Sequence, residues 1–208
     1  MTNYSFFGVT GNGANGPGSS TSFSGGIVLG AVFEVTSPGY SLLGYGFWRA
    51  DTSQAASASC ALWQGTGLNT GTLTASSTAS LSSMTAGAWN YVTLGTPIAL
   101  TQNQVYKAQI GLVNNFPFTV GQFGTGGAYS AGIVNGPLTC FSDITANGGT
   151  NPDTYHDDQA TYATGSSDPT AAYVTSINGS FNGWVDVLIG LPPAPPPPAA
   201  YTAAMSLM

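Results

Sequence analysis

Apolar residues in this chain alternate with small polar ones in short runs that Gly, Pro, Asn or Ser cut off, and this rhythm suits strands and little else. In Gly183-Trp184-Val185-Asp186-Val187-Leu188-Ile189, Val185, Val187 and Ile189 share one face, while Trp184 and Asp186 take the other. Ala31, Phe33 and Val35 alternate with Val32, Glu34 and Thr36 before Ser37-Pro38-Gly39 ends the run. Residues 43–48, 59–63, 72–75, 89–94 and 105–112 repeat the pattern, and a short strand is expected over 4–9. An amphipathic helix needs a charged face, which a chain with 5% charged residues does not supply. Many short strands at spacings of roughly 8–12 residues predict an all-β, jelly-roll-like sandwich.

Three segments follow. Residues 1–26 are rich in Gly, Ser and Asn, residues 27–190 form the sandwich, and 191–208 form an extended arm. Within the sandwich, the stretch beyond Gly111 up to Ala172 is too long for a hairpin loop, so it is read as an insertion with one or two small strands. In the arm, Leu191-Pro192-Pro193-Ala194-Pro195-Pro196-Pro197-Pro198 reads as a polyproline II spacer, and Tyr201, Met205, Leu207 and Met208 as an apolar tip that docks on a neighbour. Polyproline is already extended, so ordering it costs less entropy than ordering a flexible tail.

The scarcity of charge also excludes functions. Arg49 and Lys107 are the whole supply of Lys and Arg, too few to release the counterions of a nucleic acid or of an acidic membrane surface. No apolar run of about 18 residues is present to span a bilayer, so no membrane insertion is expected. The first residues carry neither a basic region nor an apolar core and so are not a secretory signal; the reading is either a processed form that begins with an added Met or a chain made and kept in a cytoplasm. Cys60 and Cys140 are favoured as two buried thiols over a disulfide in that compartment.

Catalytic and metal motifs are weak. Gly11-Asn12-Gly13-Ala14-Asn15-Gly16 satisfies G-x-G-x-x-G, but Pro17-Gly18 follows where a dinucleotide site needs a helix. Ala128-Tyr129-Ser130-Ala131-Gly132 resembles a nucleophile elbow that lacks its first Gly and its helix. Asp153, His156, Asp157 and Asp158 crowd oxygen and imidazole donors into one loop without the spacing of a calcium frame, so they are weak metal candidates, and no cofactor is expected. Glu34, Asp51 and Asp186 show no spacing that singles out a glycosidase pair, and the chain is read as a non-enzyme.

Of Trp48, Trp63, Trp89 and Trp184, two stand out as a possible contact surface for glycan or protein. Trp48 lies opposite Tyr45 and Phe47, and Trp184 opposite Val185 and Val187.

An ordered set of motifs then carries a resemblance. It runs through Leu29-Gly30-Ala31-Val32-Phe33, Leu43-Gly44-Tyr45-Gly46-Phe47-Trp48-Arg49, Ala61-Leu62-Trp63, Ala88-Trp89-Asn90-Tyr91-Val92-Thr93-Leu94, Thr96-Pro97-Ile98-Ala99-Leu100, Asn135-Gly136-Pro137-Leu138 and Trp184-Val185-Asp186-Val187. Over about residues 27–189 the chain resembles an uncharacterised β-sandwich module that is repeated in multi-modular bacterial surface proteins. The resemblance implies a sandwich without established catalytic residues and a binding or spacer role. Combined with the expected cytoplasmic synthesis and the arm, the expectation is a structural or adhesion protein of a phage particle, such as a capsid decoration, head fibre or minor tail protein. Its partners would be other virion proteins, copies of itself and a host-surface glycan. The alternative is a carbohydrate-binding module at a bacterial cell surface.

Overall fold

The structure is a computed structural model and describes residues 2–8, 14–67, 70–119, 122–123, 128–129, 131–141, 160–174, 176–177 and 182–191. The strands among them are β1 (Asn3–Tyr4), β2 (Thr21–Val35), β3 (Ser41–Arg49), β4 (Ala58–Gly67), β5 (Thr70–Leu73), β6 (Ala79–Leu81), β7 (Ala88–Ala99), β8 (Tyr106–Phe116), β9 (Ile133–Asn135), β10 (Leu138–Cys140), β11 (Ala160–Thr164), β12 (Ser176–Ile177) and β13 (Val185–Gly190). One sheet runs β1-β13-β3-β7, the other β12-β11-β2-β8-β4-β5, with β10 beside β2 and β9, and β6 beside β4. The fold is an all-β, jelly-roll-like sandwich, as the alternation predicts.

Period two explains the core. Register places Leu29 opposite Ile110, Phe33 opposite Tyr106 and Leu62 opposite Ala108, so inward side chains of neighbouring strands lie side by side. Val185, Val187 and Ile189 of β13 meet them from the other sheet with Tyr45 and Phe47 of β3. Each such large apolar side chain, once buried, contributes about 1.5–3 kcal/mol. Tyr45 is fully buried and donates its hydroxyl to the Ser77 carbonyl at 2.6 Å, so its polar end costs little.

The differences from the expected elements have local causes. Of the short strand expected over 4–9, among the described residues Tyr4 alone pairs, together with Asn3, opposite Ile189 and Gly190 of β13, and residue 9 lies outside the described residues. Phe6 and Phe7 enter the core instead, 0% and 1% exposed, because the Asp186 carboxylate takes their amides. The stretch after β8 holds three described strands, β9, β10 and β11, where one or two were expected. Beyond β11, residues 165–174 run back as a strap over the outer face of the second sheet. Gln109 holds it through Pro169 O (2.8 Å), Ala172 O (3.0 Å) and Val174 N (2.8 Å), and Trp63 Nε1 donates to Pro169 O at 2.8 Å. Cys60 and Cys140 are free and buried, and burial pushes the Cys60 thiol up to about 12 and Cys140 well above its ordinary value.

Candidate functional site

The charged side chains show first what the protein can hold. Arg49 spends its guanidinium on backbone carbonyls: Nε and Nη2 reach Gln54 O at 3.1 and 2.8 Å, and Nη1 reaches Met84 O at 2.5 Å. Lys107 is fully buried, donates to Val174 O at 2.7 Å and lies 3.9 Å from the centre of the Tyr173 ring. Both Lys and Arg side chains of the chain are therefore engaged inside it.

Among the acids, Asp186 is sealed in. Its carboxylate accepts from Phe6 N (2.6 Å), Gly8 N (3.0 Å), Phe7 N (3.3 Å), Tyr91 OH (2.8 Å) and Val187 N (2.8 Å). Burial pushes its carboxyl above the ordinary range against the pull of those donors. Asp168 is exposed and held below that range by the Thr170 hydroxyl and amide. Asp51 is held at about 2, first by the Ser53 hydroxyl and then by the Ser20 amide. Of Asp51, Asp168 and Asp186, none is both reachable and pushed up, and no group of three or more His, Cys, Asp or Glu among the described residues could hold a metal. Of the acids weighed as a glycosidase pair, Asp186 is sealed away from solvent and Asp51 is held low, while Glu34 lies on β2. Asp153, His156, Asp157 and Asp158 lie outside the described residues, as do Gly11, Asn12, Gly13, Ser130 and the arm residues Pro192, Pro193, Pro195, Pro196, Pro197, Pro198, Tyr201, Met205, Leu207 and Met208.

Asp51 provides a pH prediction. Its carboxyl titrates near 3.8 when unfolded and at about 2 when folded. Its contribution is complete above pH 3.8 and is lost as pH falls through 2. Because the group is largely solvated, the effect is below about 1 kcal/mol. Thermal unfolding of Asp51→Asn is expected to fall less steeply with acid over that window than unfolding of the unsubstituted protein.

The expected contact residues Trp48 and Trp184 do not form an exposed surface; they are 6% and 2% exposed. Alternation correctly sets Trp48 on the face away from Tyr45 and Phe47, but that outer face is roofed. Trp48 Nε1 donates to Pro17 O at 3.0 Å, and Trp184 Nε1 to Thr119 Oγ1 at 3.0 Å. Trp184 lies just before β13 with φ 53°, a strained setting for a bulky residue, and its amide bonds to Asn182 Oδ1 at 2.7 Å. Both belong to a ring cluster built on Phe7, whose ring lies 5.6 Å from Trp89 at 9°, 5.4 Å from Tyr129 and 5.2 Å from Trp184.

The solvent-facing members of this cluster are Trp89, Tyr91 and Tyr129, each partly exposed. Trp89 and Tyr91 are two apart on β7 and so share a face, with ring centres 6.2 Å apart and planes inclined at 32°. The Trp89 indole is fixed by Ala14 O at 2.9 Å and the Tyr91 hydroxyl by Asp186. Sequence reasoning counted Trp89 among the tryptophans but did not single it out. The Trp89-Asn90-Tyr91 spacing was the available signal.

A second feature has no aromatic ring. Two adjoining recesses of about 310 and 160 Å³ share Ser59 and Ser80, which sit opposite each other on β4 and β6. The larger is lined by Ser57, Ser82, Val113 and Ser167, the smaller by Thr78, Asp168 and Thr170. Together they make one groove between β6, β8 and the strap.

The model of a family described as Domain of unknown function (DUF4082) matches residues 14–176. No curated protein matches the chain. Among solved structures, the crystal structure of the cysteine protease and lectin-like domains of Cwp84, a surface layer associated protein of Clostridium difficile, is similar over 80% of this chain and 32% of that one, with 8% identity and a TM-score of 0.42. At that distance it carries no argument about this chain's ligand. The expectation of a virion component, whether capsid decoration, head fibre or tail protein, is corrected here. The family whose model matches most of the chain is one of unknown function, and nothing in that match ties the chain to a phage particle.

Proposed function

Since the chain belongs to the DUF4082 family of domains of unknown function, we propose that it is a non-catalytic binding module of a bacterial surface protein and takes a saccharide on Trp89 and Tyr91. The observation that carries this reading is the pair of partly exposed rings, 6.2 Å apart on one strand face. Sugar rings present C–H groups that stack on aromatic faces, and a platform held rigid before binding loses little entropy. Trp89 has that rigidity from its bond to Ala14 and its parallel contact with Phe7. With Arg49 and Lys107 engaged inside the protein, the grip rests on stacking, which suits a neutral sugar. The resemblance to modules repeated in bacterial surface proteins supports the cellular setting.

Binding to purified bacterial cell-wall polysaccharide, measured by pull-down and isothermal titration, tests the reading. Trp89→Phe keeps a ring against Phe7 but shrinks the platform, and is expected to weaken binding about tenfold, or about 1.4 kcal/mol. Equal binding by this variant and by Tyr91→Leu, with both still folded by near-UV circular dichroism, would sink the proposal.

A further inference from the structure

The groove lies away from the Trp89 face, on the other sheet, and its chemistry is different. We infer that it is a second saccharide subsite, which reads the hydroxyls of a neutral sugar through serines on and immediately beside β4 and β6. It shares a ligand class with the function proposed above but none of its residues.

The hydroxyls of Ser57, Ser80 and Ser82 make no hydrogen bond to another described residue, and all three line the recesses. Ser59 Oγ donates to Ser167 O at 3.1 Å, which leaves its lone pairs to accept from a ligand. A row of groups that both donate and accept complements the hydroxyls of a sugar. Val113, 59% exposed, adds an apolar patch for a C–H face. The larger recess, at about 310 Å³, sits at the lower end of the ~300–1,000 Å³ of small-molecule sites.

Charge narrows the ligand further. With Arg49 and Lys107 engaged inside the protein, no Lys or Arg side chain remains to pair with a phosphate or uronate. Asp168 stands on the rim, held in its charged form by Thr170, and the chain carries a formal net charge of −6. Both oppose an anion. The ligand is therefore a neutral saccharide segment.

Amide chemical-shift mapping of the whole chain with cellohexaose, N-acetylchitohexaose and trigalacturonate tests this. A neutral hexasaccharide is expected to shift amides at 57–59, 80–82 and 113, and to do so equally in Trp89→Phe. Trigalacturonate is expected to leave them unmoved. Ser80→Trp, a strand-compatible change at an exposed position, should fill the groove and weaken this site about tenfold. The double change Ser57→Ala and Ser82→Ala, too small to disturb the fold, should weaken it in the same direction. A silent groove beside responding Trp89 amides overturns this inference and leaves the aromatic reading standing; the converse pattern sinks the aromatic reading alone. Equal shifts with the uronate, or full binding by both groove variants, also overturn it.

Discussion

Asp186→Asn is expected to lower folding stability by about 3 kcal/mol. The carboxylate offers acceptors only: Oδ1 serves Phe6 N and Val187 N, and Oδ2 serves Gly8 N, Tyr91 OH and Phe7 N. An asparagine keeps one acceptor and turns an NH₂ group toward the donors left over. Each buried donor without a partner costs about 1–3 kcal/mol, and at least two are orphaned. The side chain is fully buried, so water cannot compensate freely. Urea unfolding should show the loss, and amide exchange at Phe6, Phe7 and Gly8 should accelerate. A change under about 1 kcal/mol, with those amides still protected, would refute the anchoring role. The loss reaches the proposed saccharide platform as well, since Phe7 is the ring on which Trp89 rests.

Gly111→Ala should destabilise by about 2–3 kcal/mol, although it adds only one methyl group. A Cβ at this position would lie 1.9 Å from Ser167 O, 2.7 Å from Ser167 C and 3.0 Å from Pro169 Cδ. Two of these atoms are backbone. The strap cannot yield without cost, because Gln109 and Trp63 both hold Pro169 O at 2.8 Å and Ser59 holds Ser167 O. Gly95→Ala is the control: its Cβ would meet nothing within 4 Å, so its stability should stay within about 0.5 kcal/mol of the unsubstituted protein. Equal melting of the two variants in calorimetry would show that the strap is not seated on β8 as described.

These two sites mark where the sequence was legible. The inward faces were readable because alternation is a local property: Tyr45 with Phe47, and Val185 with Val187 and Ile189, fall inside as their spacing requires. Strand β6 was missed because three residues with a serine at the centre carry no apolar rhythm. The same alternation placed Trp48 and Trp184 away from the central core, but said nothing about a second layer over that face. The available hint, Trp89 and Tyr91 two apart, looked like any other strand repeat. For the groove there was no local signal, since Ser59 meets Ser80 through strand pairing and Ser167 arrives from more than a hundred residues away.

By itself the sequence determined the class of fold and the poverty of charge that limits the ligand, because periodicity and composition act residue by residue. Only the tertiary structure decided which aromatic rings remain at the surface, where the N-terminal segment closes on Asp186, and how a strap and two serine-bearing strands enclose a groove. Those outcomes depend on which distant segments come to cover each outer sheet face. A β-sheet presents two faces of equal standing until the rest of the chain packs against one or both of them.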